Sequence, residues 1–243
     1  MFTLEQVNRE IDLFTKETNI SVPHLTNIVH EDNHHSFAHV SLKDIVNGEY
    51  IIYISNDLYQ YDFNYQISTL WHEFVHIHDM LYFKDNKNVK YIMATYSEAY
   101  ATKIDLTYLY KKSNTKHILH EGKLTTVSAV AQEYFSISVR YCRNTLSTAN
   151  PNAFYSAIVN FSHCCGAMLL CWEDPLHFLK SVIHHYPEIF QPDLLLLGNA
   201  IFLSNPILAG NIYKRLHKTQ QKQAAEMIAK QKTHINNEIQ ESR

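Results

Sequence analysis

The chain has 243 residues, 46% of them hydrophobic and 19% charged, with a formal net charge of −3. That balance excludes an intrinsically disordered chain and gives no electrostatic reason to expect a nucleic-acid partner. The length suits one large domain, or a domain with a helical extension, and is enough to bury a substantial core.

Residues 2–19 carry Phe2, Leu4, Val7, Ile11, Leu13 and Phe14 at roughly helical spacing, and Pro23 is expected to end that helix. The stretch from Ser36 to Leu42 alternates apolar and polar residues, as a half-buried strand does, and Asn47-Gly48 is a tight-turn dipeptide. Tyr50 to Ile54, rich in β-branched and aromatic residues, reads as a second strand, and His24 to His30 as a third. From Asp62, a natural N-cap, the pattern turns helical, with helices expected over 63–83 and 89–112. Asn114 and Gly122 mark a break. Further helices are expected at 125–147, 152–172, 175–185, 191–203 and 206–240, with prolines at their starts. The fold class is therefore α+β. A small sheet would pack on one helix, residues 1–115 forming the core, and the mostly helical residues 116–243 would pack on it as one unit.

The N-terminus lacks the basic-then-apolar order of a secretion signal. The longest apolar run, Gly166 to Trp172, is far short of the roughly 18 residues of a membrane span. Cys164 and Cys165 are adjacent, a poor start for a disulfide framework, so a reducing, cytoplasmic compartment is expected and no membrane partner. The basic stretch from Lys214 to Lys232 reads as a solvated helical face.

The chemistry centres on His72-Glu73-Phe74-Val75-His76. Residues four apart on a helix stand one turn above each other, so both imidazoles can reach one metal ion, with Glu73 beside them to serve a water. With 16 histidines in the chain, chance alone would produce such a motif in about one sequence in sixteen. Context argues against chance. The motif lies mid-helix, with Thr69, His72, Glu73, His76 and Asp79 on one stripe. Phe63, Ile67, Leu70, Phe74, Ile77 and Leu81 form the opposite, core-directed face.

A catalytic zinc needs a third protein ligand. Glu98, 22 residues past His76 on the next helix, is the candidate, with Ala94 and Ala101 small enough to let the helices approach. Asp79 lies roughly 10 Å along the axis from His72 and cannot share its ion, so it reads as an outer or surface group. Asp105, on the Glu98 face, is placed to accept a hydrogen bond from a ligand imidazole. The expected reaction is peptide hydrolysis by a metal-activated water, with Glu73 as general base and proton carrier to the leaving amine. Tyr96, Tyr100, Tyr134 or a downstream histidine could stabilise the oxyanion. Zn2+ is the expected cofactor, although two imidazoles and a carboxylate also suit Mn2+ or Fe2+. His34-His35 and His184-His185 read as surface or loop residues. His163-Cys164-Cys165 with Cys171 reads as apolar helix with reduced thiols and not as a second metal site.

The order of strand Tyr50–Ile54, then Thr69-Leu70-Trp71-His72-Glu73-Phe74-Val75-His76, then Ser97-Glu98-Ala99-Tyr100-Ala101 resembles the ImmA/IrrE-type metallopeptidases over roughly residues 45–110. The resemblance implies a zincin-like fold, with His72, His76 and Glu98 as ligands and Glu73 as base. It also implies an intracellular peptidase of bacteria and their mobile elements, with a protein substrate such as a transcriptional repressor. Many members have glycine where this chain has Val75. A competing reading is a zinc-stabilised, non-catalytic interaction protein working through the helical half from 125 to 240. A third is a zincin fold that has lost its metal.

Overall fold

The computed structural model describes residues 1–32, 36–113, 115–148 and 150–241, with side chains up to residue 229. Helix α1 (Leu4–Thr18) begins in a reciprocal cap, Thr3 accepting from the Gln6 amide while its own amide donates to the Gln6 side chain. It ends at Asn19, whose left-handed backbone (φ 59°) turns the chain four residues before Pro23. Val7, Ile11 and Phe14 form its buried face.

Strands β1 (Asn27–Glu31), β2 (Ala38–Val40) and β3 (Ile51–Ser55) make a sheet of order β1-β3-β2. β1 runs parallel to β3 and β2 antiparallel to it, with Val29 and His39 both opposite Tyr53. The alternating stretch is a strand only over 38–40. Ser41 then leads into a short helix, α2 (Leu42–Val46). Asn47-Gly48 consequently ends a helix, Gly48 taking a φ of +80°, and does not make a hairpin.

Helix α3 (Phe63–Phe83) starts where Asp62 accepts a 2.8 Å hydrogen bond from the Tyr65 amide. Its back face buries Ile67, Leu70, Phe74 and Ile77, while Phe63, expected there, is 64% exposed. Phe14 meets Trp71 and Phe74 edge-on and fixes α1 against α3. The next helical stretch has three parts: α4 (Val89–Ile92), a π-helical turn (Met93–Ser97) and α5 (Glu98–Lys112). Where a break was expected, strands β4 (Ile118–His120) and β5 (Lys123–Thr125) form a hairpin. Glu121 and Gly122 at its tip both have positive φ, as a tight two-residue turn requires.

Helices α6 (Val127–Thr148), α7 (Pro151–Cys171), α8 (Pro175–Val182), α9 (Gln191–Phe202) and α10 (Pro206–Glu241) complete the chain. Two apolar cores result. One joins α1, the sheet and α3; the other is built from α6, α7, α9 and α10. The α4–α5 stretch separates them, with Ala101 in the first core and Ala94 and Ala99 in the second. Gly166 of α7 brings the α7 and α5 backbones together, since a Cβ there would overlap the Ala99 carbonyl. The same α7 carries no charged residue and, contrary to the sequence reading, is long and apolar enough by composition to cross a membrane. About half of it, 56% of the most apolar window, is buried within this fold.

Candidate metal centre

His72 and His76 stand one turn apart on α3, their rings edge to face at 4.8 Å. Across from them Glu98 begins α5. Its Oε2 lies 3.3 Å from His72 Nε2 and 3.4 Å from His76 Nε2. The three ligand atoms fall within 4.8 Å of one another. Around a tetrahedral ion with bonds of 2.0–2.1 Å, neighbouring ligand atoms are about 3.3–3.4 Å apart. The Glu98 oxygen already sits at that spacing from both rings.

Each ring is held by its other nitrogen. His72 Nδ1 is 3.1 Å from Asp105 Oδ2, and His76 Nδ1 is 2.8 Å from Ser97 Oγ. Donating Nδ1–H to these oxygens turns the Nε2 lone pairs toward Glu98, the tautomer a metal requires. The π-helical turn ends at Ser97, so that Ser97 and Glu98, neighbours in sequence, both serve α3. Asp105, seven residues past Glu98, returns to the same face two turns later. Asp79 is 4% exposed and hydrogen-bonded to Ser97, so it is an outer support of His76 and not a surface group.

The electrostatics favour positive charge at this cluster. Burial alone would raise the Glu98 carboxyl. The charges and hydrogen bonds of His76, His72 and His163 hold it well below the usual carboxylate range. Burial disfavours a charged His72, yet hydrogen bonds to Asp105 and Glu98 outweigh it and raise that ring well above its ordinary value. His76 is raised by the same contest, burial against Glu98. Glu73 is shifted upward, chiefly by burial, and stays close enough to the rings to feel both. Carboxylates that gather positive charge around an imidazole pair are a fitting donor set for a divalent ion.

The centre opens into a cleft of about 610 Å³ that follows α3 from Tyr65 to Met80. Residues 37–40 along β2 form one wall, and His120, Glu121 and Tyr134 another. Of the candidate oxyanion donors, Tyr134 lines the cleft, and burial keeps its phenol protonated far above neutrality. Tyr96 and Tyr100 stack on each other, with ring centroids 6.0 Å apart, and are not among the residues lining it. His184 and His185 are exposed, as expected, while His34 and His35 lie outside the described residues.

One residue of the site has no assigned role in the sequence reading. The cysteines beside His163 are all free, as expected, but the histidine itself belongs to the centre. It reaches across from α7, its Nε2 3.7 Å from Glu98 Oε2, its Nδ1 2.6 Å from Thr102 Oγ1 and its ring 5.0 Å from that of Tyr134. Burial lowers its pKa to about 4. The available signal was its isolation as the one ionisable nitrogen in an otherwise apolar helix, one turn from Gly166. No family model, curated protein or solved structure matches this chain.

Proposed function

We propose that the chain is a metal-dependent peptidase with a zincin-like arrangement of edge strand and metal-binding helix. The observation that carries this reading is the convergence of His72 Nε2, His76 Nε2 and Glu98 Oε2 part-way along a cleft of about 610 Å³, with Glu73 on its wall. A divalent ion held by His72, His76 and Glu98 would supply Lewis-acid polarisation of a peptide carbonyl and a more acidic water.

The remaining work falls to the chain. Glu73 takes a proton from the attacking water and returns it to the leaving amine, and burial gives its carboxylate the raised basicity that this shuttle needs. Tyr134, kept as a phenol, offers an O–H toward the cleft for the developing oxyanion. Asp105 and Ser97 hold the two rings in register. Among the described residues β2 pairs with β3 on one side only, and its residues border the cleft. An extended peptide can add to that open edge through main-chain hydrogen bonds, which suits a protein or peptide substrate. The ImmA/IrrE-type resemblance makes an intracellular regulatory protein, such as a transcriptional repressor, the first substrate to try, and a cytoplasmic setting the first to examine.

The test is Glu73→Gln assayed on unstructured protein substrates and candidate repressors, with zinc measured on the same samples. Zinc should stay stoichiometric while cleavage falls by about 10²–10⁴-fold. Cleavage equal to wild type would remove Glu73 from the reaction. Binding to a partner that survives both chelation and Glu73→Gln, with no proteolysis, would instead support the interaction-protein reading.

A further inference from the structure

The two motif histidines share a pattern, and a third histidine repeats it. His72 is anchored through Nδ1 by Asp105 and His76 through Nδ1 by Ser97. His163 is anchored through Nδ1 by Thr102, at 2.6 Å. All three Nε2 atoms face a single atom, Glu98 Oε2, at 3.3, 3.4 and 3.7 Å. The third distance exceeds the tetrahedral edge of about 3.3–3.4 Å by a few tenths of an ångström, and His163 stands just outside the group whose ligand atoms all lie within 4.8 Å of one another, so its ring has to close inward to ligate.

The tautomer follows from the hydroxyl between them. Thr102 Oγ1 lies 2.9 Å from the Glu98 carbonyl, one turn back in α5, and that carbonyl can only accept. With its single hydrogen committed there, the hydroxyl accepts from His163 Nδ1–H. The Nε2 of His163 then presents a lone pair to a carboxylate. Two electron-rich atoms facing each other in a mostly buried site repel unless a cation or a water proton stands between them. α7 is held in place for this by Gly166, where the α5 backbone leaves no room for a side chain.

We infer that His163 is a fourth protein ligand, making the centre three imidazoles and one carboxylate instead of two and one. The inference rests on the metal-centre reading above. It also alters what that centre is. Four protein donors would leave no open tetrahedral position, so a reacting water would need a further place on the ion.

X-ray absorption on the zinc-loaded wild-type protein should count three imidazoles. Zinc affinity, measured by chelator competition, should fall by more than about 100-fold in His163→Ala and His163→Gln, beyond the 10–100-fold typical of an outer partner. The visible spectrum of the cobalt-substituted protein should change in both variants. Thr102→Val should weaken zinc by about 10–100-fold, because it removes only the anchor. Bound zinc that counts two imidazoles, with affinity in the His163 variants within a few-fold of wild type, overturns the fourth ligand and leaves the peptidase reading standing. Wild-type protein that takes up no divalent ion overturns both. The absorption measurement needs no variant, so misfolding of either substitution leaves the question answerable.

Discussion

Gly166→Ala tests whether α7 is held against α5 as closely as the centre needs. A methyl group at Gly166 would overlap the Ala99 carbonyl oxygen and stand 3.0 Å from both the Ala99 carbonyl carbon and Thr102 Cβ. Two of these three atoms belong to backbone, so no rotamer change makes room, and the helices have to part by on the order of 1 Å. The 2.6 Å contact between His163 and Thr102, one turn away, then stretches past hydrogen-bond range. Overpacking costs about 1–3 kcal/mol and the lost hydrogen bond about 1 kcal/mol, while alanine returns about 1 kcal/mol of helix propensity. A net loss of about 2 kcal/mol corresponds to a Tm lower by roughly 4–8 °C in a chain of this size. Thermal unfolding monitored by circular dichroism, with chelator added throughout, measures that term alone. Repeating the melt with zinc should show a smaller metal-induced rise in Tm than in wild type, because His163 has moved from the centre. A variant as stable as wild type with an unchanged zinc-induced rise would show that helix propensity outweighs the clash. It would also refute the argument that Gly166 sets the position of His163.

Asp105→Asn leaves the size of the side chain unchanged but frees the His72 ring to adopt the wrong tautomer. Zinc affinity should drop by about 10–100-fold with little loss of secondary structure, read by chelator competition. Because His72 is raised well above the ordinary imidazole value, it carries a proton at neutral pH that a metal must displace. Zinc affinity should therefore rise with pH up to the raised value and fall below it. Titration calorimetry in two buffers of different ionisation enthalpy should detect proton release, and affinity that is flat between about pH 6 and 8 would contradict the charge balance described here. Asp62→Ala removes the side chain that caps α3 and should cost about 1 kcal/mol in urea unfolding, with zinc stoichiometry unchanged.

The chain's local interactions specify its elements and half of its centre. Helical periodicity alone puts His72, Glu73 and His76 on one face of α3, and Asp62 sets where that helix begins, because both depend on neighbours within a turn. Glu98 was within reach of the same reasoning, since the short connection after Phe83 has to return the chain alongside α3. The prolines marked the starts of the later helices because a missing amide is tolerated there. By contrast, Ser41 to Val46 and residues 118–125 were misjudged. Short elements carry few residues of pattern, and neighbouring packing decides between strand, turn and helix. His163 lies 65 residues beyond Glu98, and no local rule links the two. Its place depends on how closely α7 lies on α5, a distance set by the missing side chain at Gly166 and by a core assembled from helices far apart in the chain. Sequence fixes which side chains share a helix face because that geometry is periodic. Which faces meet depends on excluded volume summed over the whole molecule, and only the folded structure carries that sum.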